Sequence, residues 1–188
     1  YIVQDVLSHF LELDSPSDVV EHFPTMTKQS IPIFFVKLLE SLVDAIRTVD
    51  FKSSNQKVTL FQLRKIAIHL QTVVQLTKSD SLVTVSMMTN ALKNMRSFLD
   101  IVNKNMDFFN ACFASKQEDV LSFFKALQTS TRQIHNICSY GKNEKKNNAI
   151  ARLVPFVKKS MEEFIYRVKG MLVANGSVDS FWAGNLKQ

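Results

Sequence analysis

The chain has 188 residues, 46% of them hydrophobic, and a formal net charge of +6. That length fits one domain or a tightly packed pair and can bury roughly 70% of the unfolded surface, so no disulfide or metal staple is needed. Only four glycines and four prolines punctuate it, which favours long helices with short links; no run of 18 apolar residues occurs, so no membrane span is expected.

The chain opens on Tyr1 in mid-pattern, as a fragment of a larger protein would. Ile2, Val3, Val6, Leu7, Phe10 and Leu11 fall on one side of residues 1–13 and predict an amphipathic helix. A second start comes next, with Ser15 placed to cap, Pro16 at the first helical position and Asp18 in the first turn. Pro24 and Pro32 bracket the next break. From 33 to 51, Phe35, Leu38, Leu39, Leu42, Ile46 and Val49 recur at helical spacing. The polar stretch 52–57 reads as a loop. Leu60, Leu63, Ile66, Ala67, Leu70 and Val74 line the inner face of a helix over 58–76.

Residues 78–81 are placed to cap the next helix. The pattern over 82–114 is too long for one ordinary globular helix, and Asn and Asp cluster at 103–107, where a break is expected. Ser115 and Glu118 have capping-box spacing. Val120, Phe124, Leu127, Thr131, Ile134 and Cys138 form the stripe of the following helix, which is expected to stop near Gly141. Residues 141–148 are a polar loop. Pro155 cannot donate a helix hydrogen bond, so a short helix to Leu153 and a fresh start at Pro155 are expected. Val157, Met161, Phe164 or Ile165, Val168 and Leu172 then face inward. Asn175 and Gly176 should end that helix, because both tolerate positive φ.

No strand-like alternation bounded by hairpin turns is present. Seven to nine helices of 10–20 residues predict an all-α fold of antiparallel helix pairs. They are expected to stack as an α-solenoid arm of HEAT-like or armadillo-like kind, one domain over 1–188 with a sub-boundary near 52–57.

Reaction chemistry finds little support. No P-loop, dinucleotide fingerprint or zinc spacing occurs. The four histidines are scattered at 9, 22, 69 and 135, and His69 and His135 lie within apolar helical patterns on different elements. Cys138 stands one helical turn after His135, but a nucleophile pair also needs an orienting group and an oxyanion-type turn, and neither accompanies it. The two cysteines have neither ligand spacing nor a disulfide framework, which suits a reducing compartment. The expectation is a non-enzymatic module with no cofactor, no metal and no small-molecule substrate.

Charge is unevenly spread. Residues 1–50 carry eight acids and three bases (−5), whereas 51–188 carry nine acids and twenty bases (+11). Eight bases fall within 142–169, against Glu144, Glu162 and Glu163. Glu162 and Glu163 point about 100° apart on a helix and make no shared site. They have i,i+4 cations in Lys158, Lys159 and Arg167, pairs worth roughly 0.2–0.5 kcal/mol each. Lys142, Lys145, Lys146, Arg152, Lys158 and Lys159 are the candidate DNA-binding residues. Few aromatics are interleaved with them, so duplex phosphates fit better than stacked single-stranded bases. A solvated lysine face on a pure protein-interaction module is the competing reading.

Three stretches, EDVLSFFKALQTSTRQIHNIC (118–138), LVPFVKKSMEEFIYRVKGML (153–172) and FWAGNLK (181–187), resemble in that order the C-terminal helical region of the Fanconi anaemia group D2 family. The resemblance is specific over roughly the last 75 residues, looser over 80–117, and rests on helical character over 1–79. It implies a large nuclear α-solenoid protein of DNA interstrand cross-link repair. It also implies a heterodimer with the Fanconi anaemia group I paralogue that binds duplex or branched DNA. Once monoubiquitinated, the pair would close as a clamp, with ubiquitin attached elsewhere in the full chain.

The closing stretch 177–188 contains the only tryptophan of the chain. Ser177 can cap a helix of one or two turns and Gly184 can end it. Such a helix is too short to be stable alone. Phe181, Trp182 and Gly184 are therefore expected to form a structural latch that docks the segment onto the preceding helices.

Overall fold

The computed structural model describes residues 30–76, 84–139 and 148–176. The expectations for 1–29, for the cap at 78–81, for the loop 141–147 and for the latch at 177–188 lie outside the described residues. Six helices occur among the described residues: α1 Ser30–Thr48, α2 Gln56–Leu76, α3 Val85–Lys104, α4 Met106–Phe113, α5 Gln117–Ser139 and α6 Asn148–Ala174. No strand is present among them.

Helix ends differ from the sequence reading for local reasons. Helix α1 begins at Ser30 rather than 33, because Pro32 falls in its first turn, where a missing N–H leaves no gap in the ladder. Helix α2 begins at Gln56, since the Asn55 side-chain oxygen accepts from the Val58 backbone N–H at 3.3 Å and caps the first turn. Thr84 caps α3 in the same way, its hydroxyl accepting from the Met87 N–H at 3.2 Å. The expected capping box at Ser115 does not form. The Ser115 hydroxyl instead reaches back to the Cys112 carbonyl at 3.4 Å, and α5 starts one residue later than that box requires. The break expected at 103–107 occurs at Asn105, between α3 and α4.

Pro155 is the main correction. It sits inside α6, which runs unbroken from Asn148 to Ala174. Its ring replaces the N–H that would reach the Ala151 carbonyl. Pro155 is exposed while Val154 and Val157 beside it are buried, so the orphaned carbonyl lies near water and tertiary burial holds the turn. Restoring the donor should therefore stabilise the chain. We expect Pro155→Ala to raise the melting temperature, with a gain of up to about 3 kcal/mol; an unchanged or lower value in a thermal melt followed by circular dichroism would contradict this account.

The helices pack as two layers. Helices α1, α3 and α6 form one, in that order, with α3 against both neighbours. Helices α2 and α5 form the other. The layers join through α1 on α2, α3 on α5 and α5 on α6. Helices α1 and α3 thus each precede a second-layer partner in the chain, with short α4 inserted between α3 and α5. This is the stacking logic of an α-solenoid.

The predicted stripe of α5 is buried at every position, from Val120 to Cys138. Phe34, Val43, Phe123 and Ala126 are buried as well, because α1 and α5 each contact helices on more than one side. A phenylalanine cluster crosses the layers. Phe109 of α4 stacks on Phe123 with centroids 5.4 Å apart and touches Phe124 at 5.0 Å. Phe124 in turn meets Phe164 of α6 edge-on at 5.3 Å. Polar links pin the register. The Asn103 amide donates to the Ser160 carbonyl at 3.2 Å, and the Ser160 hydroxyl donates to the Asp100 carboxylate at 2.8 Å. Ser130 of α5 donates to the Leu70 carbonyl of α2 at 3.1 Å.

Candidate nucleic-acid interface

Helix α6 buries Ile150, Val154, Val157, Phe164, Val168, Met171 and Leu172, and the 3.6-residue period turns the remaining positions outward. Arg152, Lys158 and Lys159 are all exposed or partly so, with Lys158 and Lys159 fully on the outer side. Arg152 and Lys159, seven residues apart, share one line of the helix. Lys158 and Lys169, eleven apart, share the neighbouring line. Lys142, Lys145 and Lys146 lie outside the described residues. In sequence they precede the first turn of α6, while Arg152, Lys158 and Lys159 all lie in the N-terminal half of that helix.

Of the three ion pairs offered by sequence, Glu163 with Arg167 forms, at 3.0 Å. Among the described residues, no ion pair involves Arg152, Lys158, Lys159 or Lys169. Orientation explains the choice. An acid four residues before a base is the favourable order in a helix, and Lys158 with Glu162 and Lys159 with Glu163 have the reverse order. These four cations are therefore presented to solvent. Phe156 on the same helix is covered by the Arg96 guanidinium at 4.4 Å, and Arg96 also lies 3.9 Å from Asp100.

Packing creates a second basic feature, which the sequence reading does not contain. An open cleft of about 370 Å³ lies between the first turns of α2 and α5, lined by Lys57, Val58, Leu60, Phe61, Arg64, Lys116 and Asp119. Its walls are apolar, its rim carries three cations and one carboxylate, and Phe61 is 57% exposed with the Lys65 ammonium 5.2 Å from its ring. Lys116 is remote in sequence from Lys57, so only the α2–α5 packing assembles the rim. One signal is available in the sequence: Val58 and Phe61 stand off the buried stripe, three residues apart, within a run of bases.

The His135 and Cys138 pairing offers no nucleophile. Cys138 is buried, its thiol 4.0 Å from the Met88 carbonyl, and burial pushes its pKa from 9.0 up to about 12. Burial raises that of Cys112 as well. The raised thiol has a sign consequence. The unfolded thiol ionises first, so its contribution to stability is present below pH 9.0 and is lost as pH climbs towards 12. We expect iodoacetamide at about pH 8 to leave Cys138 unmodified in the folded chain and to alkylate it after denaturation; mass spectrometry showing rapid native alkylation would contradict the burial. Among the described residues, no three His, Cys, Asp or Glu side chains are grouped to hold a metal ion, and no helix is long and apolar enough to cross a membrane.

Comparison with known proteins gives the chain its relatives. It is 34% identical over 172 residues to the Fanconi anemia group D2 protein of Gallus gallus, an alignment covering 88% of this chain. It is 29% identical over 186 residues to the homologue from Mus musculus and 25% identical over 177 residues to that from Drosophila melanogaster, each covering 93% of the chain. The chain spans about 12% of the length of these relatives. The family model described as Fanconi anaemia protein FancD2 nuclease matches residues 7–188. With that match over nearly the whole chain, laid on an all-helical stack of paired helices, the chain belongs to the FancD2 family of Fanconi anaemia proteins.

Proposed function

We propose that this chain is a non-enzymatic scaffold arm of a nuclear protein of DNA interstrand cross-link repair, and that α6 and its lead-in contact duplex or branched DNA through phosphates. The observation that carries the reading is the set of outward cations Arg152, Lys158, Lys159 and Lys169, none in an ion pair among the described residues. Cations already paired to carboxylates gain little from phosphate, whereas solvated ones release counterions when they bind it. In this reading the arm belongs to a heterodimer with the group I paralogue, and the pair closes on DNA as a clamp when ubiquitin is attached elsewhere in the full chain.

The matched family's description includes the word nuclease. The scaffold reading draws on the fate of reactive groups here. Glu163 is held by Arg167, Asp100 takes Ser160 and Arg96, and Cys138 is buried and protonated. A second reading, a protein-interaction module without DNA contact, is favoured by the exposed apolar residues Val58 and Phe61 at the α2–α5 cleft. Reversing Arg152, Lys158 and Lys159 to Glu separates the two. Weakened duplex binding supports the DNA arm; unchanged binding leaves the interaction module.

A further inference from the structure

Helix α2 carries three cations, Lys57, Arg64 and Lys65, and no acid. Among the described residues, Lys57 and Arg64 form no ion pair, and neither do Lys116 and Asp119 across the cleft at the start of α5. Lone surface cations are ordinary, but these frame exposed apolar surface. Val58 is 51% exposed and Phe61 57%, and buried Leu60 lines the cleft with them. The Lys65 ammonium, 5.2 Å from the Phe61 ring, adds a further cation beside it. Scattered exposed apolar residues need no explanation, whereas adjoining ones that wall a cleft mark a contact surface.

The chemistry of the cleft selects its occupant. Its volume of about 370 Å³ lies at the lower end of the range for ligand sites, room for one or two side chains rather than a cofactor. Lys57, Phe61 and Arg64 follow one another at i, i+4 and i+7 along one line of α2. A cation therefore stands one turn to either side of the ring, the two roughly 10 Å apart along the axis. Lys116 meets them from α5. A ligand that matches this pattern has an apolar anchor with carboxylates a helical turn before and after it. Asp119 on the rim argues against nucleic acid, because a continuous phosphate track would have to pass that carboxylate. A run of single-stranded bases needs successive aromatic platforms, and Phe61 is the one ring that lines the cleft. A peptide spaces its carboxylates and can place an N–H donor beside Asp119.

We propose that the α2–α5 cleft docks an acidic amphipathic segment of a partner protein, which seats an apolar side chain against Val58 and Phe61 and sets carboxylates against Lys57, Arg64 and Lys116. The inference rests on the reading of this cleft as a protein-interaction surface and adds the chemistry of what it takes. Binding follows the helix-in-groove mode, in which an apolar anchor supplies affinity and the flanking charges fix register and partner choice. The site uses none of the cations of α6, so occupancy of the cleft leaves Arg152, Lys158 and Lys159 open.

The probe is a short fluorescein-labelled peptide with a single leucine flanked by glutamates a helical turn away on each side, titrated with the 188-residue chain and followed by polarisation. It should bind, and its glutamine counterpart should bind at least about tenfold more weakly at roughly 0.1 M salt. Phe61→Ser and, separately, Arg64→Glu should each weaken the glutamate peptide at least about tenfold. Both side chains are exposed, so the circular-dichroism melt should not move. The Arg152, Lys158, Lys159 triple-Glu variant should bind the peptide as the parent chain does. Equal affinity for the glutamate and glutamine peptides overturns the acidic partner while the cleft remains an apolar interaction surface. Binding of neither peptide overturns the interaction reading of the cleft as well. A loss in the α6 variant equal to that of Arg64→Glu overturns the proposal by assigning binding to the general field of the chain. Oligothymidylate binding that Phe61→Ser abolishes overturns it by assigning the cleft to single-stranded nucleic acid.

Discussion

Phe109→Ala should destabilise the chain by about 3–5 kcal/mol. Phe109 is fully buried and its ring contacts Phe51, Phe108, Phe123 and Phe124. Truncation removes the transfer energy of the ring and leaves a cavity at the meeting point of α4, α5 and the link before α2. The surroundings have little freedom to collapse into it. Helix α4 has eight residues, too few to persist by propensity, so its place depends on this ring. For a chain of this size the loss corresponds to a fall in melting temperature of about 6–20 °C. A calorimetric or circular-dichroism melt that moves by less than a degree or two would mean that the phenylalanine cluster does not tie the layers together.

The second large effect concerns binding. Arg152→Glu, Lys158→Glu and Lys159→Glu together should weaken duplex affinity at least about tenfold at roughly 0.1 M salt, whatever the base sequence. Each reversal removes a cation and places an anion against the phosphates, within a screening length of about 10 Å. All three residues lie outside the buried face of α6, so the fold and its melting temperature should be unaffected beyond roughly 0.5 kcal/mol. Reversal of Arg167, whose charge is already matched by Glu163 at 3.0 Å, should weaken binding much less. An equal loss from Arg167→Glu would indicate a general field rather than a contact surface.

Much of this architecture is visible in residue spacing. The stripe from Val120 to Cys138, the interruption at Asn105 and the reversal at Gly176 are local features, and local spacing decides them. Pro155 shows where local rules lose. The proline penalty is a few kcal/mol, and the buried residues flanking it, with many more along α6, outweigh it. Extra burial at Phe34 and Phe123 is hidden for a related reason. A single stripe describes a helix with one neighbour, and α1 and α5 each have several.

The candidate interface divides in the same way. Arg152, Lys158 and Lys159 are visible as a basic cluster, and the outward direction of each comes from the buried positions of α6. Which cations stay unpaired is legible only through order: three i,i+4 pairs are available, and the one with the acid first, Glu163 with Arg167, is the one that forms. The α2–α5 cleft cannot be read from spacing, because Lys57 and Lys116 become neighbours only through packing.

The salt dependence of duplex binding tests the central claim most directly. Affinities of the chain and of its Arg152, Lys158, Lys159 triple-Glu variant are measured on one duplex across a range of salt. The slope of log K against log salt should be shallower in the variant by about 2.7, or about 0.9 for each phosphate no longer neutralised. Equal slopes and equal affinities would show that these cations meet water rather than DNA, and the arm would then be an interaction module alone.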